Sequence, residues 1–504
     1  MYIYRVREKI WVLRPILTEL ILVPGYKMNR WILIFAALAA VAAANNSGDK
    51  IIMCYFGSWA VYRPPGGKYD ISYIQPELCT HLIYSFVGIN TEGNVVILDA
   101  WQDLPDNWGK DGFGRFNKLR ELSPTTKTLI AIGGWNEGSA KYSDVVANPT
   151  IRARFVKNVV EFCLKYKFDG FDVDWEYPNQ RGGKPADVQN YISLLKELRT
   201  EFDKHGLILS AAVAAAEPSA SLSYDIPAMS KYLHYINIMT YDFHGAWEKV
   251  TGHNAPLYPR NGESGNDLKL NVDASVRYWL DSGCPREKLI LGVPFYGRAF
   301  TLSDSNQNGL GAPIKGPGTA GPYTREGGML GYNEICESFK QGGWTIVRQE
   351  EHRVPYAVKG DQWVGYDDVT SLIEKTNYIK SMNLGGGMLW SIETDDFNGN
   401  CGEKYPLLKT LNAELRGGVP LEPTRPTDAP NPSNKPTAPT TQPPVTSPPN
   451  GICKKAGDFV RDEKDCNVFY LCEDGGKSHR MTCPSGLVFN TNTNTCDYTA
   501  AGCN

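Results

Sequence analysis

The chain has 504 residues, with Lys+Arg 52 against Asp+Glu 55 and a formal net charge of -3. A balance that close excludes a bulk electrostatic attraction to nucleic acid or to anionic membranes, and leaves a neutral polymer as a compatible partner. The length exceeds one average domain but fits a single barrel of about 250 residues or more with appendages.

Residues 1–27 hold two short apolar patches, Ile10 to Leu13 and Leu20 to Val23, broken by Arg14, Pro15 and Glu19. They read as an unstructured upstream extension. Residues 28–44 have the form of a secretory signal: Arg30, an apolar run from Trp31 to Val41, then Ala42, Ala43 and Ala44 as a small-residue cleavage site. The run is shorter than the ~20 apolar residues that span a bilayer. The mature, extracellular chain is expected to begin near Asn45, which opens the sequon Asn45-Asn46-Ser47.

Eight short apolar or β-branched runs bounded by turn residues follow: Ile51 to Gly57, His81 to Ile89, Thr128 to Trp135, Asp169 to Glu176, Leu207 to Ala215, Tyr235 to Asp242, Leu289 to Gly297 and Gly385 to Glu393. Between several of them lie segments with apolar residues at three- and four-residue spacing, such as Ile151 to Tyr166 and Val188 to Lys204. Strands alternating with helices predict a parallel sheet, and eight such units an α/β fold of the (β/α)8 barrel type over 45–417, with its site at the C-terminal ends of the strands. Polar and aromatic residues gather at those ends: Phe86, Trp135, Glu176, Tyr241, Asp242, Tyr296, Arg298 and Trp390. Any one of them alone reads as a core or cap residue; their shared position does not. The interval of about 301–367 is too long for one crossover helix and predicts a small inserted α+β subdomain between strands seven and eight.

Residues 418–451 are rich in Pro, Thr and Ser, a composition that buries no core and predicts an extended linker. Half of the 12 cysteines then fall between Cys453 and Cys503. That density predicts a small disulfide-stapled β domain over 452–504 and an oxidising compartment. Six cysteines allow fifteen pairings.

In FDGFDVDWEYP, alternation along a strand sets Asp172, Asp174 and Glu176 on one face and Phe171, Val173 and Trp175 on the other. Carboxylates confined together repel, which raises the pKa of at least one and lets it hold a proton near neutrality. Glu176, nearest the barrel mouth, is the natural donor. A bare acidic triplet also suits a solvated edge strand or a cation site; the apolar flanks oppose the first, and the lack of a local His or Asn opposes the second.

FDGFDVDWEYP resembles the signature of family 18 glycoside hydrolases of the secreted animal chitinase type. So do CYFGSWAVYR, HLIYSFVGI, AIGGWNEG, MTYDFHGAWE, GVPFYGRAF and GGGMLWSIETDDF, in order across residues 50–415. The resemblance implies that Glu176 is the general acid, that Asp174 orients the substrate acetamido group and shares a proton with Asp172, and that Tyr241 and Asp242 hold that group. It implies a retaining mechanism in which the substrate's acetamido oxygen is the nucleophile. Trp390 resembles the tryptophan beneath the cleaved sugar; Tyr55, Trp59, Tyr62, Phe86, Trp135, Met239, Trp247, Tyr296 and Arg298 resemble residues lining the other subsites. It also implies bridges Cys54–Cys79 and Cys336–Cys401, and leaves Cys163 and Cys284 either paired or as thiols.

The last fifty residues, with NVFYLCEDG and GLVFNTNTNTCDY, resemble a peritrophin-A chitin-binding domain. That implies bridges Cys453–Cys472, Cys466–Cys503 and Cys483–Cys496, with Tyr470 and Phe489 as candidate sugar contacts. The resulting expectation is a secreted, monomeric chitinase whose partners are chitin and chitooligosaccharides, with no cofactor, metal, nucleic acid or membrane. A non-catalytic chitin-binding lectin on the same barrel, and an endoglycosidase of N-linked glycans, are the alternatives. The intact Glu176, Asp174, Tyr241 and Asp242 oppose the lectin.

Overall fold

The computed structural model describes residues 50–417 and, toward the C-terminus, 459–462, 468–472, 478–482, 488–490 and 495–497. The expected upstream extension, signal segment and linker lie outside the described residues.

Eight strands form the centre of the larger unit: Ile51–Gly57 (β1), His81–Ile89 (β2), Lys127–Gly133 (β3), Gly170–Asp174 (β4), Ile208–Ala214 (β5), Tyr235–Met239 (β6), Leu289–Pro294 (β7) and Gly386–Trp390 (β8). Each pairs in parallel with the next, and β8 returns to β1 with Met53 opposite Met388. The sheet is therefore a closed barrel with no exposed edge. It has two apolar layers, set by the two faces of each strand. Met53, Tyr55, Ile83, Leu129, Ala131, Ala212, Ile290 and Met388 fill the inside. Phe56, Ile130, Phe171, Val173, Leu209, Ile238, Leu291 and Leu389 belong to the much larger layer under the surrounding helices.

Some of the helices begin where the sequence supplies a capping side chain. Asn148 accepts from the backbone N–H of Thr150 and Ile151 at the head of Pro149–Tyr166, whose Pro149 needs no donor there. Helix Asp187–Phe202 follows β4 and covers its outer face, with Tyr191, Leu194, Leu195 and Leu198 buried.

The inserted subdomain starts earlier than about residue 301. β7 ends at Pro294, and Tyr296–Leu302 is already the central strand of a separate antiparallel sheet with Ile314–Pro317, Met329–Gly331, Thr345–Gln349, Val354–Lys359 and Gln362–Gly365. One helix, Tyr332–Lys340, packs beside it. Tyr296 and Arg298 thus come from the insertion and not from the end of β7.

Cys54 is bonded to Cys79 and Cys336 to Cys401, while Cys163 and Cys284 are buried thiols. Among the described residues no helix is long and apolar enough to cross a membrane. The smaller unit contains a three-stranded antiparallel sheet, Phe459–Arg461, Val468–Cys472 and Ser478–Thr482, and a two-stranded one, Val488–Asn490 with Thr495–Asp497. Tyr470, expected at a sugar-binding surface, is buried there and donates its hydroxyl to Asp462 Oδ2 at 2.8 Å, because so small a sheet draws its largest ring into its own core. The side chain of Phe489 and the expected bridges of this unit lie outside the described residues.

Candidate active site

β4 carries Asp172 and Asp174 within its paired length, and Glu176 follows two residues beyond it at the mouth. The alternate residues face outward: Trp175 stacks on Tyr142 at 5.2 Å and donates its indole N–H to Ser139 Oγ at 2.9 Å. That packing fixes the direction of the strand, so the carboxylates must face the barrel interior. Small residues on the flanking strands leave room for them, with Ala131 and Ser210 both in register with Asp172.

Three donors converge on Asp172. Tyr55 Oη donates to Oδ2 at 2.7 Å; Ser210 Oγ and Asn237 Nδ2 donate to Oδ1 at 2.5 and 3.3 Å. Burial pushes Asp172 up to about 6, and these hydrogen bonds oppose the rise. Asp174 differs. Its Oδ1 is buried with no partner among the described residues, and burial, then Glu176, then Asp172, hold its pKa well above the usual carboxylate range. Glu176 is pushed up to about 7 by burial and by Asp242, against the Tyr177 hydrogen bond and the Arg181 charge. The three groups thus descend from a half-buried acid at the mouth to a fully tied acceptor.

The glycine that ends β3 makes this packing possible. Gly133 has φ 114°, and a Cβ there would lie 2.1 Å from the carbonyl oxygen of Asp174. Any side chain would push β3 from β4 just below Glu176.

Just beyond β6, the Tyr241 hydroxyl lies 3.7 Å from Met388 Sδ, and Asp242 follows in a left-handed conformation, φ 57°. Asp242 Oδ1 accepts from Tyr296 Oη and Arg298 Nε, each at 2.7 Å, and its backbone N–H donates to Asn254 Oδ1. The inserted subdomain therefore clamps one side of the site through Tyr296 and Arg298. Met239 packs on the inner apolar layer.

The cleft floor is aromatic. Trp390, half-buried at the end of β8, stacks with Phe86 at 5.7 Å, and Phe86 stacks with Trp59 at 6.0 Å. Trp59, Tyr62, Trp135 and Trp247 are 42, 56, 59 and 61% exposed, as platforms for a ligand require. Tyr55, expected among the cleft-lining residues, is only 1% exposed; its ring lies 5.6 Å from Trp390 and its hydroxyl is spent on Asp172. Tyr296 is likewise buried, presenting Asp242 rather than its own ring.

Four contributors were not singled out from the sequence. Ser210 and Asn237 hold Asp172; as polar residues at inward positions of LILSAAVA and YINIM, they carried a readable signal. Arg181 covers one face of Trp135, its guanidinium carbon 3.4 Å from the ring centroid, and donates to the carbonyls of Trp135 and Glu176 at 2.8 and 3.0 Å. Trp101 stacks on Tyr62 at 6.2 Å. Neither could be read locally, because each pairs with a residue far off in the chain or across a turn.

A family model described as Glycosyl hydrolases family 18 matches residues 51–395, and one described as Chitin binding Peritrophin-A domain matches residues 453–503. The chain is 42% identical over 428 residues to "Probable chitinase 2" of Drosophila melanogaster, spanning 77% of this chain and 86% of that one. Among solved structures, a Group IV chitinase of Ostrinia furnacalis in complex with allosamidin is 50% identical with a TM-score of 0.71, covering 73% of this chain and 99% of that one. Human YKL-39, described as a pseudo-chitinase with retained chitooligosaccharide binding properties, is 39% identical with a TM-score of 0.67, covering 73% and 99%.

Proposed function

The chain belongs to glycosyl hydrolase family 18, and we propose that it is a secreted chitinase that cuts β-1,4 bonds between N-acetylglucosamine units, with Glu176 as general acid and the substrate's acetamido group as nucleophile. The observation that carries this reading is the unpartnered, buried Oδ1 of Asp174 beneath Glu176. A carboxyl so placed is ready to accept from an amide N–H, and an acetamido group is the part of the substrate that brings one. The barrel itself is shared with a protein named a pseudo-chitinase, so the side chains and not the fold carry the argument.

Glu176 gives its proton to the glycosidic oxygen as the bond to C1 breaks. The acetamido carbonyl oxygen closes on C1, and Asp174 accepts from the N–H, so positive charge spreads over an oxazolinium ring. Asp172, loaded with three donors, remains the acceptor below and can share a proton with Asp174. Tyr241 and Asp242 bound the acetamido pocket. Glu176, now a carboxylate, takes a proton from water as the water attacks C1 and reopens the ring; two inversions leave the β anomer. Trp390 and Trp59 form the floor on one side of the cut, Trp135 and Trp247 the walls on the other.

NMR of the first product released from chitin hexamer is expected to show the β anomer, before mutarotation. An α product would rule out participation of the acetamido group.

The matched chitin-binding domain supports a tethering role, raising the local concentration of the barrel on an insoluble surface. Deleting residues after about Pro420 is expected to slow hydrolysis of insoluble chitin several-fold while soluble oligomers are cut at the original rate. Equal losses on both substrates would reduce that domain to a spacer. Two disulfides within the barrel unit support export through an oxidising compartment.

A further inference from the structure

Asp242 stands outside the barrel sheet, so something other than the strand ladder must hold it. β6 ends at Met239, and Asp242 takes its left-handed φ of 57° three residues later. A backbone N–H outside the ladder needs another acceptor. It finds one in Asn254, whose Oδ1 accepts the Asp242 N–H at 2.9 Å, while the Asn254 backbone carbonyl accepts the next N–H, that of Phe243, at 3.0 Å.

The other end of the same side-chain amide reaches the inserted subdomain. Asn254 Nδ2 donates to the carbonyl oxygen of Tyr296 at 3.0 Å, and the Tyr296 hydroxyl donates in turn to Asp242 Oδ1 at 2.7 Å. Asn254 thus ties the backbone of Asp242 to the backbone of Tyr296, and Tyr296 closes the circuit on the Asp242 carboxylate. Both side-chain donors to that carboxylate, Tyr296 Oη and Arg298 Nε, fall on Oδ1, which leaves Oδ2 for a ligand. The loop that carries Asn254 is anchored on both flanks in the insertion, with Thr251 N–H donating to Ala312 O at 2.9 Å and Leu257 N–H to His352 O at 2.8 Å. Asn254 itself is 1% exposed. It cannot touch a sugar, and its side chain bonds only to residues 242 and 296.

We propose that Asn254 is a positioning residue for the hydrolysis: its amide, bridging Asp242 and Tyr296, aims the free oxygen of the Asp242 carboxylate into the acetamido pocket. This rests on the reading of the barrel as a chitinase and adds to it a residue that never meets substrate. The task needs one acceptor and one donor on a short planar group, which the Asn amide supplies; an ionised Asp lacks the donor, and Leu lacks both. Without the bridge the Asp242 peptide is free to leave the left-handed region, which a non-glycine residue occupies only where its surroundings hold it there. The carboxylate would move with it, and a displacement of about 1 Å at a reacting centre costs about 10²-fold in rate.

The test is Asn254→Leu in the full chain, alone and combined with Asp242→Asn, assayed on chitin hexamer. The single variant is expected to lose about 10- to 100-fold in kcat, with KM within about threefold of wild type because the aromatic floor is untouched. In the Asp242→Asn background the same change should cost less than about threefold, since the group it positions is already disabled. A packing role would cost the same factor in both backgrounds. Should Asn254→Leu fail to fold, Asn254→Asp, which keeps the volume and the acceptor and removes the donor, is read through the same cycle. Equal losses with and without Asp242→Asn overturn the proposal, as does a single variant whose kcat stays within about threefold of wild type. Wild-type protein that leaves the hexamer uncut refutes instead the chitinase reading on which the proposal rests.

Discussion

Replacing Glu176 by Gln is expected to reduce hydrolysis of chitin hexamer by about 10²–10⁴-fold, the range of general acid catalysis, while leaving hexamer affinity within a few-fold. Gln keeps the volume and one carbonyl oxygen of Glu176 but has no acidic proton to give the leaving oxygen. Wild-type kcat/KM should also fall as pH rises through about 7. Burial raises the Glu176 pKa to that value, the acid acts in its protonated form, and so its contribution is full below the pKa and lost above it. The residual turnover of the Gln variant should lack that limb. Titration calorimetry beside a product-release assay separates binding from chemistry; turnover within tenfold of wild type would remove Glu176 from the acid's role.

The depth gradient along β4 explains why one strand can hold three carboxyl groups in three states. At the bottom, Tyr55, Ser210 and Asn237 supply donors that only an acceptor can use, which favours an ionised Asp172. One step up, Asp174 has the repulsion of both neighbours and an unpartnered oxygen, which favours a proton. At the mouth, Glu176 meets Asp242 across the site, and Arg181 at its own carbonyl, and settles between. Once Glu176 has given up its proton it is an anion above Asp174, and its charge raises the Asp174 pKa further, favouring a proton on Asp174 at that stage.

Much of this is legible in the sequence. All eight strands stood out as runs bounded by turns, and period two placed Asp172, Asp174 and Glu176 opposite Trp175. Regular pairing ends earlier than those runs suggested, at Gly133, Asp174, Met239 and Trp390, because the residues beyond must turn toward the mouth. Burial was harder to read. Tyr55 and Tyr62 look alike in CYFGSWAVYR, yet one ring is inside β1 and the other on the surface, a difference set by the strand ending at Gly57. Tyr296 reads as part of β7 because apolar residues continue on both sides of Pro294 in LILGVPFYGRAF; that proline, where β7 ends, is the only local mark of the crossing from barrel to insertion.

The largest stability effect is expected where the chain re-enters the barrel after the insertion. Lys375, on helix Val369–Ser381, meets Asp367 with Nζ 2.6 Å from Oδ1 and both side chains wholly buried. Ser371 Oγ donates to the same oxygen at 2.8 Å. Burial lowers the Lys375 pKa, opposed by Asp367, so the ammonium exists there only because its partner does. Lys375→Met removes the cation and leaves a carboxylate without its charge partner in the interior, which costs about 3–5 kcal/mol. Urea denaturation should show that loss as a lower midpoint. Pairing the change with Asp367→Leu should recover most of it, because an apolar pair of similar volume has no charge to desolvate. Single and double variants equally destabilised would locate the effect in packing rather than in the ion pair.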